Sequence, residues 1–123
     1  MDYICVMDNL PITVVETAQF LRRTQKLMDD NERAVLIDYL ARNPESGVLI
    51  PETGGVRKLR WALEGRGKRG GARIIYYFHS ENIPLFVVSA YAKNERADLS
   101  AADRNDFKRL TKILVESYGK KVP

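Results

Sequence analysis

Seven cations stand between Gly54 and Phe78, namely Arg57, Lys58, Arg60, Arg66, Lys68, Arg69 and Arg73, and Glu64 is the single acid among them. Lysine and arginine hold phosphate because each brings a full charge and several N–H donors. Like charges set this close repel one another unless an anion joins them. The cluster therefore points to phosphate and to a nucleic-acid backbone. Tyr77 and Tyr91 fall among the same cations and would offer rings on which bases stack.

A face whose strongly polar groups are Lys and Arg can cut RNA without a metal. The 2′-hydroxyl attacks the adjacent phosphate, one group takes its proton, and another protonates the departing 5′-oxygen. Cations stabilise the charge that develops on the phosphoryl oxygens. Crowding favours the neutral form of a lysine set among other cations, which would suit it to the base role. The same face would serve equally as a passive phosphate clamp. A solvated basic loop would account for Arg66, Lys68 and Arg69 alone, but the cations continue onto the flanking apolar stretches.

Other chemistries fail on residue type. Gly65–Gly71 (GRGKRGG) matches neither GxxxxGK[ST] nor a strand–GxGxxG–helix context, because a strand-like run follows it. His79 is the only histidine, which excludes a two-histidine ribonuclease mechanism, and it reads as structural or solvated. No carboxylate pair falls on the cationic face, and HExxH, GxSxG and Cys/His clusters are absent, so neither a metal nor another cofactor is expected. Cys5 is the only cysteine, which excludes an internal disulfide.

Positioning such a face requires a sheet. With 123 residues and 45% hydrophobic content the chain suits one domain with one core. Its net charge of +4 favours polyanionic partners. No apolar run reaches bilayer-spanning length, so no membrane partner is expected. The opening Met-Asp-Tyr-Ile-Cys-Val lacks the layout of a signal peptide, and the expected compartment is the cytoplasm.

Tyr3–Met7 reads as a first strand. Helical spacing of Val14, Ala18, Leu21 and Met28 predicts a helix from Thr13 to Met28. Asp29 and Glu32 form a capping-box pattern, opening a second helix that should stop before Asn43-Pro44. The pair would lie as a helical hairpin across one sheet face. Period-two alternation predicts strands at Val56–Ala62, Ala72–His79 and Leu85–Lys93. One face would collect Leu59, Trp61, Ile74, Tyr76, Phe78, Phe86, Val88 and Ala90. The other would stay open and carry Lys58, Arg60, Arg73, Tyr77, Tyr91 and Lys93. Ser100 and Asp103 form a second capping box, before a C-terminal helix with the stripe Phe107, Leu110, Leu114, Tyr118 and a stop at Gly119. The expected class is α+β, a small antiparallel-rich sheet covered on one face by the helical hairpin, plus a C-terminal helix.

Three segments, Thr53–Arg60 (TGGVRKLR), Gly67–Tyr77 (GKRGGARIIYY) and Tyr91–Leu99 (YAKNERADL), resemble the RelE/ParE superfamily of toxin–antitoxin toxins, and most closely its HigB-type branch. The resemblance implies a RelE-like fold and a toxin that enters the ribosomal A site and cleaves the mRNA held there. It also implies neutralisation by a cognate antitoxin, in the HigB case commonly a helix-turn-helix (HigA-type) protein. Carried over by position, Lys58 and Arg60 match basic residues on the first strand of the catalytic face. Arg73 matches the arginine expected to hold the scissile phosphate, and Lys93 the basic residue ending the last strand. Two positions depart: the next arginine of RelE is Asn94 here, and its downstream tyrosine falls near Ser100, leaving Tyr91 or Tyr77 for the aromatic contact. The catalytic set implied is Lys58, Arg60, Arg73, Lys93 and Tyr91, with Arg57, Arg66, Lys68, Arg69 and Tyr77 binding nucleic acid. General acid and base stay unassigned. Two other readings share these residues: a ParE-like toxin that inhibits DNA gyrase by binding, and a non-catalytic nucleic-acid-binding module.

Overall fold

In the computed structural model, residues 10–63, 71–93 and 99–119 are described. Tyr3–Met7, the anticipated first strand, lies outside them. The β-branched pair Val14-Val15 favours extended backbone, and it forms β1 (Val14–Glu16) where the apolar spacing predicts a helix. The helix begins only after Thr17, as α1 (Ala18–Thr24). Thr17 caps it by accepting from the Phe20 amide at 3.3 Å and donates its own hydroxyl to the Val87 carbonyl at 2.9 Å. A strand pairing and a helix start thus meet at one threonine.

The Asp29/Glu32 box forms as expected: the Glu32 amide donates to Asp29 Oδ1 at 2.8 Å, and the Asp29 amide to Glu32 Oε1 at 3.3 Å. It opens α2 (Asp30–Arg42), which ends at the Asn43 that precedes Pro44. The following loop contains a short strand, β2 (Val48–Leu49), built from the one apolar patch within it. The three longer strands are β3 (Val56–Trp61), β4 (Ala72–Tyr77) and β5 (Leu85–Ala92), and the chain closes with α3 (Ala101–Gly119).

The sheet runs β1-β5-β4-β3-β2, antiparallel throughout except for the parallel β1–β5 pair. Phe20 from α1, Leu36 and Leu40 from α2, and Ile74, Tyr76, Leu85, Val87 and Ala90 from the sheet make one core layer. Each large side chain removed from water there contributes roughly 1.5–3 kcal/mol.

The second sheet face is not open. The stripe Phe107, Leu110, Leu114 and Tyr118 of α3 packs on Val56, Ile75, Tyr77, Phe86 and Val88, making a second core layer. An apolar stripe on a helix must find apolar surface, and this end of the face supplies it. Thr111 is the fastening point: its hydroxyl lies 3.3 Å from the Thr53 carbonyl that accepts it, directly above Gly54. Gly54 and Gly55 adopt positive φ (81° and 116°), and a Cβ on Gly54 would run into the Thr111 hydroxyl. The Thr-Gly-Gly turn is thus a docking platform for α3.

A β-bulge reassigns part of β5. Ile75 pairs with Ser89 but Tyr76 pairs with Val87, so Val88 is the extra residue. On the near side of the bulge Phe86 and Val88 face α3, opposite to the face that strict alternation assigns them. Beyond it, Ala90 faces the α1–α2 layer as expected.

Candidate nucleic-acid interface

Lys58, Arg60 and Arg73 do share one face. Arg60 is the direct cross-strand partner of Arg73, which in turn pairs with Tyr91 on β5; the adjacent same-face row is Lys58, Ile75, Ser89. Direct partners on antiparallel strands sit about 4.5–5.5 Å apart at Cα. Arg60 is exposed, and Lys58 and Arg73 are half-buried. Arg73 Nη1 lies 3.5 Å from the Ala72 carbonyl, at the outer limit of a hydrogen bond. Among the described residues no carboxylate pairs with Lys58, Arg60, Arg73 or Lys93. Several arginines elsewhere are paired with acids: Arg33 with Glu16 and Asp30, Arg42 with Asp38, Arg104 with Glu52. Lys58, Arg60 and Arg73 are thereby left as a group on one sheet face.

Lys93 is exposed in the turn just after β5, and its amide donates to the Gly71 carbonyl at 3.0 Å. That bond holds it beside Gly71, the residue before β4 and two positions from Arg73. Arg66, Lys68 and Arg69 lie outside the described residues.

Arg57 belongs to the other face. Its guanidinium donates to the Glu45 carbonyl at 3.1 Å and the Gly47 carbonyl at 2.8 Å, with the Glu45 carboxylate 3.8 Å away. Period two places it opposite to Lys58, and its bonds fix the loop before β2.

The tyrosines are not the open rings that the sequence suggests. Tyr77 and Tyr91 are each only 3% exposed. Tyr77 lies under α3 at the far end of β4, four residues or about 13 Å along the strand from Arg73. Its hydroxyl is 3.2 Å from His79 Nδ1, and burial raises its phenol above the usual range. Tyr91 does stand beside Arg73, with its ring in the second core layer. Ring stacking was an expectation of sequence neighbourhood; the apolar demand of α3 overrides it.

Sequence reasoning missed a cleft next to Tyr91. Gln19 and Arg23 of α1, Ser89 and Tyr91 of β5, and Asp103 and Phe107 of α3 line a space of about 100 Å3 on the cationic face. The Gln19 amide Nε2 donates to Ser89 Oγ at 3.2 Å. Ser89, the one hydroxyl-bearing aliphatic in an otherwise apolar run, was a signal of sorts. Its partners on α1 and α3 are distant in sequence and carried none.

Among the described residues no group of three or more His, Cys, Asp or Glu side chains is arranged to hold a metal ion. Among them too, no helix is long and apolar enough to cross a membrane. Residues 14–122 match the family described as the RelE toxin of the RelE/RelB toxin–antitoxin system, a span that takes in every element from β1 to α3. With a match over nearly the whole chain, the protein belongs to the RelE toxin family.

Proposed function

We propose that this toxin is a ribosome-dependent endoribonuclease that cuts mRNA in the A site by metal-independent attack of the 2′-hydroxyl. The observation that carries the reading is the Arg60–Arg73 pair: two arginines directly opposite on adjacent strands, with Lys58 on the same face and no acid among the described residues to neutralise them. Like charges directly opposite destabilise a sheet. A phosphate between them turns that repulsion into two charge-assisted contacts. Arg73, half-buried and braced by its ladder, holds the scissile phosphate. Arg60 reaches the same phosphoryl group from the exposed side and stabilises its developing charge. Lys58 and Lys93 flank the pair, and the proton transfers fall to this set. Tyr91 acts by packing beside Arg73, because its ring is buried.

Membership of the RelE family supports a cognate antitoxin, and the segments GKRGGARIIYY and YAKNERADL support the HigB-type branch with a helix-turn-helix antitoxin in the cytoplasm. The test is cleavage of a programmed mRNA in purified translating ribosomes, comparing the wild type with Arg73→Ala. Cuts within the A-site codon that vanish in the variant are expected. Intact message with wild-type protein would overturn the reading, and inhibition of DNA gyrase would then be assayed.

A further inference from the structure

The cleft formed by Gln19, Arg23, Ser89, Tyr91, Asp103 and Phe107 shares the sheet face that carries the phosphate-binding arginines. Tyr91 is the direct cross-strand neighbour of Arg73, and Ser89 lies in the same-face row as Lys58. The Tyr91 wall of the cleft therefore stands one strand spacing, about 4.7–4.9 Å, from the strand that carries Arg73. Such a step is comparable with the separation of phosphate and base within one nucleotide.

Its lining fits the edge of a planar heteroaromatic ring. Ile75, Leu99 and Phe107 supply apolar surface. The polar groups are mixed: Gln19 uses Nε2 on Ser89 and keeps its carbonyl oxygen as an acceptor, and Ser89 offers a hydroxyl. A phosphate would select donors alone. A base edge needs donors and acceptors side by side, with apolar walls for its faces. The volume of about 100 Å3 is well below the roughly 300–1,000 Å3 of pockets that enclose a whole small ligand. That admits the hydrogen-bonding edge of a base and not a whole nucleotide.

We infer that this cleft binds the nucleobase next to the phosphate held by Arg73, and that Gln19 is its specificity-determining residue. The inference rests on the ribonuclease reading for its substrate, RNA. It assigns to α1, which lies outside the cationic strands, the task of reading sequence.

The test measures binding without requiring cleavage. Trinucleotides made of 2′-O-methyl RNA, with each of the four bases or an abasic site at the central position, are titrated into the wild type, Gln19→Leu and Arg73→Ala. Gln19 is exposed on a helix surface, so its substitution leaves the core intact. The expected result is at least tenfold discrimination among central bases by the wild type, shrinking to within threefold in Gln19→Leu. Arg73→Ala should weaken all the oligonucleotides alike and keep their ranking. Wild-type affinity equal for base-bearing and abasic oligonucleotides would overturn the inference, as would an unchanged ranking in Gln19→Leu. Base discrimination together with uncut message on the ribosome would uphold the cleft while removing the ribonuclease reading, so the two failures are separable.

Discussion

Arg60 stands directly opposite Arg73 on the neighbouring antiparallel strand, and no carboxylate among the described residues bridges them. Like charges so placed cost a sheet roughly 0.2–1 kcal/mol. Arg60→Ala should therefore be slightly more stable than the wild type in low salt. An anion bound between the two guanidiniums stabilises the wild type in proportion to its occupancy. Thermal unfolding with and without inorganic phosphate checks this: the melting temperature of the wild type should rise with phosphate, and that rise should largely disappear in Arg60→Ala. Equal rises in both proteins would show that the pair holds no anion.

Gly54 carries the docking of α3. At φ of 81° an L-residue costs about 1–2 kcal/mol, and the added Cβ would collide with the Thr111 hydroxyl. Gly54→Ala should lower the unfolding free energy by more than the backbone cost alone. Thr111→Ala, which removes the obstructing hydroxyl, should recover part of the steric loss when combined with it. A double-mutant cycle in urea measures this coupling, and strict additivity would mean that the two sites do not touch.

Tyr76 links the buried sheet to the loop before β2. Its hydroxyl accepts from the Gly47 amide at 2.8 Å and donates to the Pro44 carbonyl at 2.8 Å. Tyr76→Phe strands both backbone groups, and a buried group left unpaired costs about 1–3 kcal/mol. Denaturant unfolding should show that loss with little change in the m-value.

The same tyrosine sets a pH dependence. Burial raises the Tyr76 phenol above its usual value, an effect only partly offset by the bond from Gly47, and burial raises Tyr77 as well. The unfolded chain releases these protons near pH 10 while the folded chain retains them. Above that pH the unfolded state binds fewer protons, so stability falls as pH rises through the folded values. This contribution is fully present below about pH 10. Unfolding free energies measured from pH 8 to 11 should decline more steeply in the wild type than in Tyr77→Phe.

Much of the fold was legible locally. The Asp29/Glu32 and Ser100/Asp103 boxes form as their side chains dictate, with the Asp103 amide donating to Ser100 Oγ at 3.1 Å. The stripe on α3, the stop before Pro44 and the alternation of β3 and β4 follow from local sterics and period. Val14-Val15 departs from the helix expected because the spacing of Val14, Ala18, Leu21 and Met28 also fits a short strand followed by a capped helix. Only the parallel pairing with β5 separates the two.

The sequence by itself determined which side chains are cationic, which strands carry them, and that Lys58, Arg60 and Arg73 share a face, because residue type and a period of two are local properties. Only the tertiary structure decided that Arg60 faces Arg73, that Val88 bulges and turns Phe86 and Val88 towards α3, and that this helix buries Tyr77 and Tyr91. Strand register and helix docking depend on surfaces brought together from distant parts of the chain, and a one-residue slip sends every following side chain to the other face.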